Sequence, residues 1–339
     1  MPSAIACPDK FRGSLSAGQV AAAIARGLRR AGFGPVAEIP LADGGEGTLE
    51  ALLAARGGSR RTVRVTGPLG APVDAEYGLL PDGTAVVEMA RASGLSLVER
   101  KDPLRASTRG TGELIAAARR AGARRILVGV GGSASTDGGL AAVEALGWSL
   151  AGIEVTVACD VDTAFLDCAR VYGPQKGAGD AEVELLTRRL ASVAATYAQR
   201  TGVDVTGLEG GGAAGGLAGG LAAIGARLEP GFEIVAVAAG LEDALEGVDL
   251  VVTGEGRLDA TSFEGKVVGG VLEWAGELGI EHRAVICGQA TEDGLDELSV
   301  VGAAAYALVD RVWQAGEAFA KAELLIEEAA LEAGRAARG

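Results

Sequence analysis

The sequence predicts an α/β protein, and its 339 residues are enough for two domains. Two observations carry this prediction. Short apolar runs recur along the chain, each followed by a loop with glycine or acidic residues and then by a helical pattern, which is typical of parallel α/β sheets. Between Thr62 and Met89 the pattern changes, because alternating apolar residues on both sides of a Pro81-Asp82-Gly83 turn indicate antiparallel strands.

The elements follow in order from the N-terminus. Residues 4–7 are predicted to be a strand, and Ser16 with Gln19 forms the capping-box signature of a helix. Further strands are predicted at 36–40, 125–130, 155–159, 249–253 and 284–287, and helices at about 46–55, 111–121, 138–146, 181–200, 213–226, 266–278 and 315–335.

Because the strand–helix alternation returns near the C-terminus, the two ends of the chain are expected to build one domain. We predict a Rossmann-like α/β domain with a mostly parallel sheet from residues 1–61 and 245–339. Residues 62–244 would form an inserted α/β domain with a mixed sheet and with its antiparallel strands near its start.

Composition excludes several classes of protein. The 54 glycines show no period of three, and 48% of the residues are hydrophobic, so neither collagen nor a disordered chain is expected. A net charge of −14 disfavours nucleic acids and anionic membranes as partners, since both need clustered cations. The chain has no CxxC pair, signal-peptide pattern or long apolar span. We expect a soluble cytoplasmic protein, and the oligomeric state stays open.

Acidic residues follow most of the predicted strands. They are Asp9, Asp43, Asp137, Asp160, Glu255 and Asp259. Ligands of open α/β sheets bind outside the carboxyl ends of the strands, so these loops could converge on one crevice. Carboxylates brought together repel one another unless cations are present, and Mg²⁺ takes one or two carboxylates together with substrate phosphates. Asp137, Glu255 and Asp259 are the candidate Mg²⁺ ligands.

Lysine is rare, with five residues against twenty-six arginines. Three of the five, Lys10, Lys176 and Lys266, lie in predicted loops, where a compact ammonium group could meet a phosphate or a carboxylate. The alternative for each of them is a solvated loop residue.

A glycine-rich loop, residues 131–139 (GGSASTDGG), follows a predicted strand and begins a predicted helix. Backbone N–H groups at such a position can hold an anion. The candidate contacts to a nucleotide phosphate are Gly131, Gly132, Ser133, Ser135 and Gly138. The alternative is an ordinary strand-to-helix turn.

Other chemistries are less well supported by the sequence. No GxxxxGK[ST] motif occurs, and the single histidine, His282, disfavours a Ser-His-Asp or Cys-His mechanism. The segment 129–134 matches the GxGxxA dinucleotide fingerprint, so an NAD-dependent dehydrogenase of a small hydroxy acid is the alternative function.

Taken jointly, the motifs resemble those of the bacterial type 1 glycerate kinases. They include CPDKFRGSLSA (7–17), LADGGEGT (41–48), GVGGSASTDGG (129–139), YGPQKGA (172–178) and VTGEGRLD (252–259). The resemblance implies ATP- and Mg²⁺-dependent phosphorylation of D-glycerate, giving 2-phosphoglycerate, by two α/β domains with the active site in the cleft between them.

The resemblance also implies roles for single residues. The substrate carboxylate needs a cation such as Arg257, Arg12 or Lys10, and its hydroxyl needs a general base, for which Asp160 and Asp43 are candidates. The full expectation is that Asp160, Asp43 and Lys176 are catalytic, and that Asp9, Lys10, Arg12, Arg257 and Lys266 bind substrate. A non-catalytic ligand-binding relative is a further alternative.

Overall fold

The computed structural model describes residues 1–313 and 315–339. Its strands are β1 (Ala4–Ala6), β2 (Val36–Glu38), β3 (Ser59–Thr66), β4 (Pro72–Leu79), β5 (Thr84–Glu88), β6 (Arg125–Gly129), β7 (Glu154–Ala158), β8 (Arg227–Glu229), β9 (Leu250–Leu258), β10 (His282–Ala290) and β11 (Ala304–Ala307).

The α-helices are α1 (Ala17–Arg30), α2 (Thr48–Arg56), α3 (Ala90–Ser93), α4 (Arg109–Arg120), α5 (Leu140–Ala145), α6 (Cys168–Tyr172), α7 (Asp180–Thr201), α8 (Ala213–Ala223), α9 (Gly231–Ala239), α10 (Leu241–Leu245), α11 (Val267–Glu277), α12 (Glu292–Val300), α13 (Ala315–Ala320) and α14 (Ala322–Ala336). Each predicted strand and helix has a counterpart, and the capping box of Ser16 and Gln19 opens α1. The helix predicted at 315–335 is two helices, α13 and α14, with Lys321 between them.

The chain forms two compact units. Unit 1 comprises Met1–Asp43, Glu50–Gly57 and Phe232–Gly339, and unit 2 comprises Gly44–Leu49 and Gly58–Gly231. Each unit contains one sheet with helices packed on it, which confirms the predicted α/β class. The domain limits that the sequence predicts, at residues 61/62 and 244/245, stay a prediction.

Unit 1 contains a five-stranded parallel sheet in the order β11-β10-β9-β1-β2. The short strand β1 is apolar and fully buried, as expected for the centre of a parallel sheet that is covered on both faces. Helix α1 packs against α14 so closely that a side chain at Gly27 would collide with the backbone of Glu327. Glycine is therefore required at this helix crossing.

The connections of the unit 1 sheet create a topological switch point. From β1 the chain continues to β2 at one edge, whereas β9, on the other side of β1, continues to β10 and β11 towards the opposite edge. A crevice forms outside the carboxyl ends of two such neighbouring strands, and ligands of open α/β sheets bind there. The fold alone therefore predicts a ligand site beside the carboxyl ends of β1 and β9.

Unit 2 contains a six-stranded mixed sheet in the order β3-β4-β5-β6-β7-β8. Strands β3, β4 and β5 are antiparallel neighbours, and β5 through β8 are parallel. The antiparallel pairing confirms the prediction for the segment after residue 62, although β3 begins at Ser59.

No helix in the described part of the chain is both long enough and apolar enough to cross a membrane.

Candidate active site

A cavity of about 490 Å³ lies in unit 1, at the carboxyl end of its parallel sheet. Seven of the predicted site residues line it: Asp9, Lys10, Arg12, Asp43, Glu255, Arg257 and Lys266. They come from the loops that follow β1 and β2, from the end of β9, and from the start of α11. The switch point of the sheet therefore holds a cavity with charged walls, in the size range of small-molecule sites.

Backbone hydrogen bonds fix the loop that carries Asp9 and Lys10. The N–H of Asp9 donates to the carbonyl of Gly254 at 2.8 Å, which links the loop after β1 to strand β9. The N–H of Lys10 donates to Asp9 Oδ1 at 2.6 Å, and the Lys10 ammonium lies 3.6 Å from the same oxygen. The carboxylate is thus held by the residue that follows it.

Two carboxyl groups of the cavity have raised pKa values. Burial raises the pKa of Asp9 to about 6, with Lys10 opposing the shift and the charge of Asp43 adding to it. Burial likewise raises the pKa of Glu255 to about 7; a hydrogen bond from Ser262 opposes this shift, and the charge of Asp9 adds to it. The neighbouring carboxylates repel one another when they are charged, so a cation bound between them would be stabilising.

The donor set suits a Mg²⁺ ion that is shared with a phosphate ligand. The Oε1 atom of Glu255 is buried and has no hydrogen-bond partner among the residues that the structure describes, so it is an oxygen that could coordinate a cation. Among residues 1–313 and 315–339 no group of three or more His, Cys, Asp or Glu side chains could hold a metal by itself. Mg²⁺ sites in proteins commonly use one or two carboxylates together with substrate phosphates.

Asp259 organises the rim of this region. Its Oδ1 accepts hydrogen bonds from the N–H of Thr261 at 3.1 Å and from its hydroxyl at 2.7 Å, and its Oδ2 lies 3.5 Å from Arg257 Nε. The Lys266 ammonium donates to the same threonine hydroxyl at 2.7 Å. Asp259 thus holds a turn that positions two of the cations, and its predicted role as a metal ligand stays a prediction.

The glycine-rich loop of residues 131–139 lies in unit 2, where internal hydrogen bonds hold part of its backbone. Two of its side-chain oxygens, Ser135 Oγ and Thr136 Oγ1, are buried and have no hydrogen-bond partner among the described residues. The Gly138 N–H donates to the carbonyl of Gly215 at 2.9 Å, and the Tyr197 hydroxyl donates to the Gly138 carbonyl at 2.8 Å. Ser133, Ser135 and Gly138 are buried, whereas Gly132 is exposed and Gly131 partly so. A side chain at Gly215, whose φ is +67°, would strike the backbone of Ser135.

Asp137 and Lys176 also point into unit 2. The Asp137 carboxylate accepts from the N–H and hydroxyl of Thr108 at 2.8 and 2.9 Å and from the N–H of Gly139 at 3.1 Å. Lys176 is 1% exposed, and its ammonium donates to the Ser135 carbonyl at 2.6 Å. Burial lowers the pKa of Lys176 to about 8 and raises that of Asp137.

Asp160 lies at the end of β7, also in unit 2, where its Oδ1 accepts from the N–H of Gly231. The catalytic roles predicted for Asp160 and Lys176, the nucleotide contacts of the 131–139 loop and the metal role of Asp137 stay predictions.

The GxGxxA match does not have the geometry of a dinucleotide site. Its last residue, Ala134, precedes the start of α5 at Leu140 by several residues. In the fingerprint the third small residue packs a helix against its strand, and the helix N-terminus faces the pyrophosphate. A segment that ends before the helix provides neither contact.

Several residues that line the cavity or hold a buried hydrogen-bond network were not predicted from the sequence. Gln289, Leu308 and Phe319 line the cavity, but they are uncharged and lie outside the acidic and lysine motifs on which the prediction rested. The prediction also missed Glu88, 3% exposed, whose Oε1 accepts from the N–H of Gly47 at 2.8 Å and of Leu49 at 3.0 Å. A glutamate that ends an apolar strand was the available signal, because a buried carboxylate needs donors.

Comparison with known proteins places the chain in a family. The glycerate kinase family model matches residues 4–152 and 148–338. The chain belongs to the glycerate kinase family. It is 41% identical to the glycerate 2-kinase of Escherichia coli over 331 aligned residues, covering 85% of this chain and 86% of that protein. It is 38% identical to a glycerate kinase of Halalkalibacterium halodurans, with 97% of each chain covered.

Structural comparison agrees with the sequence comparison. A crystal structure of a protein assigned as glycerate kinase 2 from Salmonella typhimurium LT2 superposes with a TM-score of 0.86 at 37% identity, covering 99% of this chain and 98% of that one. The family membership implies a kinase with a small-molecule substrate, and the resemblance drawn from the motifs is confirmed at the level of the family.

Proposed function

We propose that this protein transfers the γ-phosphoryl group of ATP to a hydroxyl of D-glycerate in a Mg²⁺-dependent reaction. The observation that carries the proposal is the charged cavity at the switch point of unit 1, in a chain of the glycerate kinase family. Because the Escherichia coli relative is named a glycerate 2-kinase, we propose 2-phosphoglycerate as the product.

The cations of the cavity would recognise the two anionic substrates. Glycerate is a small acid, and the exposed guanidinium groups of Arg12 and Arg257 can each offer a fork of donors to its carboxylate. The ammonium groups of Lys10 and Lys266 are compact charges suited to phosphate oxygens. Holding both substrates against these groups would supply most of the catalysis by positioning and charge stabilisation.

Asp43 is the proposed general base. It lines the cavity after β2, and hydrogen bonds fix its loop to that of β1, since the N–H of Leu41 donates to the carbonyl of Pro8 at 2.9 Å. In the transfer the substrate hydroxyl oxygen bonds to the γ-phosphorus, the bond to the bridging oxygen of ADP breaks, and the hydroxyl proton passes to the carboxylate. Asp160 is the second candidate.

Glu255 and Asp9 would hold the Mg²⁺ together with phosphate oxygens. When bound, the ion would neutralise charge that develops on the transferring phosphoryl group. Lys10 offsets part of the charge of Asp9, and the remaining repulsion between the Asp9 and Glu255 carboxylates would favour cation binding. We also propose a cytoplasmic location, because ATP is a cytoplasmic substrate and the four cysteines are unpaired thiols.

The direct test is a coupled assay with Mg-ATP and D-glycerate, followed by ³¹P NMR of the product. We expect ADP release that depends on glycerate, and a phosphomonoester on the secondary hydroxyl. Absence of phosphoglycerate would refute the function and favour a non-catalytic ligand-binding relative; a product phosphorylated on the primary hydroxyl would refute only the regiochemistry.

A lysine pair provides the matched variants for that assay. Lys266→Met removes an ammonium that lines the cavity, and we expect kcat/KM to fall about 10²-fold, as for other groups that stabilise transition-state charge. Lys321→Met removes an exposed ammonium that pairs with Glu317 on the surface, and we expect kcat/KM to stay unchanged. Equal effects of the two variants would contradict the placement of the site.

A further inference from the structure

The cavity of unit 1 has two walls of different chemistry. The charged wall consists of the seven acidic and basic residues described above. The apolar wall lies near the end of β11 and along α13 and α14, and consists of Leu308, Val309, Ala318, Phe319 and Ala322. Only the charged wall has a role in the function proposed so far.

Glycerate does not account for the apolar wall. The acid has three carbons, each bearing oxygen, and therefore offers almost no apolar surface to bury. The cavity of about 490 Å³ is also much larger than such a molecule requires. Phe319 nevertheless presents an aromatic side chain that is 59% exposed. A second ligand moiety that is flat and apolar fits this wall better.

Gln289 adds a polar group to the lining. It lies near the end of β10, where its backbone pairs with that of Arg257 in the parallel register. Its side chain is exposed and forms no hydrogen bond within the described ranges 1–313 and 315–339. A side-chain amide has both donors and an acceptor, the combination that pairs with the N6 and N7 edge of adenine.

We propose that the apolar wall and Gln289 form the binding site for the purine base of the phosphoryl donor, with Phe319 stacking on the base. The inference rests on the proposed kinase function. It places the base beside β10 and β11, and the phosphates beside the cations that follow β1 and β9, so that one cavity binds the whole donor. Stacking on an aromatic side chain and pairing with an amide are complementary, because the ring face and the ring edge are recognised separately.

Calorimetric titration of the full-length protein with Mg-ADP and with Mg-pyrophosphate separates the base from the phosphates. We expect Phe319→Ala to weaken ADP binding about tenfold, as for loss of base–aromatic stacking elsewhere, and to leave pyrophosphate binding unchanged. Phe319→Leu keeps apolar volume without a ring and should give most of the same loss. Trp313→Ala is the matched control, since Trp313 is 99% exposed and does not line the cavity.

Gln289→Leu tests the edge contact, and we expect it to reduce the preference for ADP over GDP severalfold. The proposal is overturned if Phe319→Ala binds ADP as tightly as the unmodified protein, or if it weakens pyrophosphate equally. It is also overturned if the variant instead raises the KM for glycerate alone, because the wall then binds the acid. Failure of the kinase function is a separate result, namely no phosphorylation of glycerate by the unmodified protein.

Discussion

Units 1 and 2 use the same residue types and put them to different uses. Both units set aspartate and glycine in loops after parallel strands. Lys10 and Lys266 of unit 1 also follow strands, whereas Lys176 of unit 2 follows helix α6. In unit 1 Lys10 and Lys266 line a cavity, and in the described part of the chain one oxygen of Glu255 has no hydrogen-bond partner. In unit 2 the ammonium of Lys176 is buried against a carbonyl, and the Asp137 carboxylate accepts three hydrogen bonds.

The difference shows that position after a strand does not by itself make a residue available to a ligand. What decides is whether the surrounding chain has already satisfied its polar groups. In unit 2 Tyr197 and the glycines of α8 contact the loop and bind part of its backbone, although the hydroxyls of Ser135 and Thr136 have no hydrogen-bond partner among the described residues. In unit 1 the loop after β1 bonds through its backbone to strand β9 and to the loop after β2, and the side chains of Asp9, Lys10 and Asp43 line the cavity.

The largest expected effect separates two aspartates, one from each unit. Asp43→Asn should lower kcat by about 10² to 10⁴, the range for loss of a general base, with little change in stability. Asp160→Asn should lower it less, because Asp160 Oδ1 already accepts the N–H of Gly231 and the amide oxygen of asparagine can still accept that hydrogen bond. Steady-state kinetics of both variants measures kcat, and urea unfolding measures their stability. A larger loss of kcat in Asp160→Asn, with normal stability, would reverse the assignment of the base.

The next largest expected effect is on stability and concerns Lys176, the buried lysine of unit 2. Lys176→Ala should lower the free energy of unfolding by about 3 kcal/mol, because it leaves a cavity and removes the partner of the Ser135 carbonyl. Lys10→Ala, in the partly exposed cavity of unit 1, should change the unfolding free energy much less. Urea denaturation measures both. Similar urea midpoints for the two variants would show that Lys176 and Lys10 contribute equally to the free energy of unfolding.

Glu255 should make the stability of the protein depend on pH. Its pKa is raised from 4.5 to about 7, so its stabilising contribution is present below pH 4.5 and is lost as the pH rises through 7. Relative to Glu255→Gln, the unmodified protein should therefore lose about 1 to 3 kcal/mol between those pH values in the presence of a chelator. Urea unfolding from pH 4.5 to 8 tests this, with the exposed neighbour Glu264→Gln as control. Parallel pH curves for the unmodified protein and Glu255→Gln would contradict the burial of this charge.

The smallest expected effect concerns the glycine-rich loop of unit 2, residues 131–139. Tyr197→Phe removes the hydroxyl that donates to the Gly138 carbonyl, which should lower the free energy of unfolding by about 1 kcal/mol. The KM for glycerate should not change, because Tyr197 is fully buried and away from the cavity lining. A raised KM for glycerate at unchanged stability would show that the loop contacts this substrate.

Much of the fold was predictable from local patterns. The Ser16 and Gln19 spacing specified the start of α1, and the turn at residues 81–83 indicated the antiparallel part of the unit 2 sheet. The break between α13 and α14 was not predicted, because the apolar pattern continues through Lys321 and no proline or glycine marks the end of a helix there.

The sequence by itself determined the α/β class, the family and a set of residue types suited to a phosphorylated ligand, because periodicity and motif order are properties of the chain alone. Only the tertiary structure decided which of these residues line the cavity and which are buried. Asp9 and Asp137 each lie in a loop that follows a parallel strand. The Asp9 carboxylate is held by the adjacent Lys10, whereas the Asp137 carboxylate is held by Thr108, which is 29 positions away along the chain. A hydrogen-bond partner that is distant in sequence is set by packing rather than by local sequence.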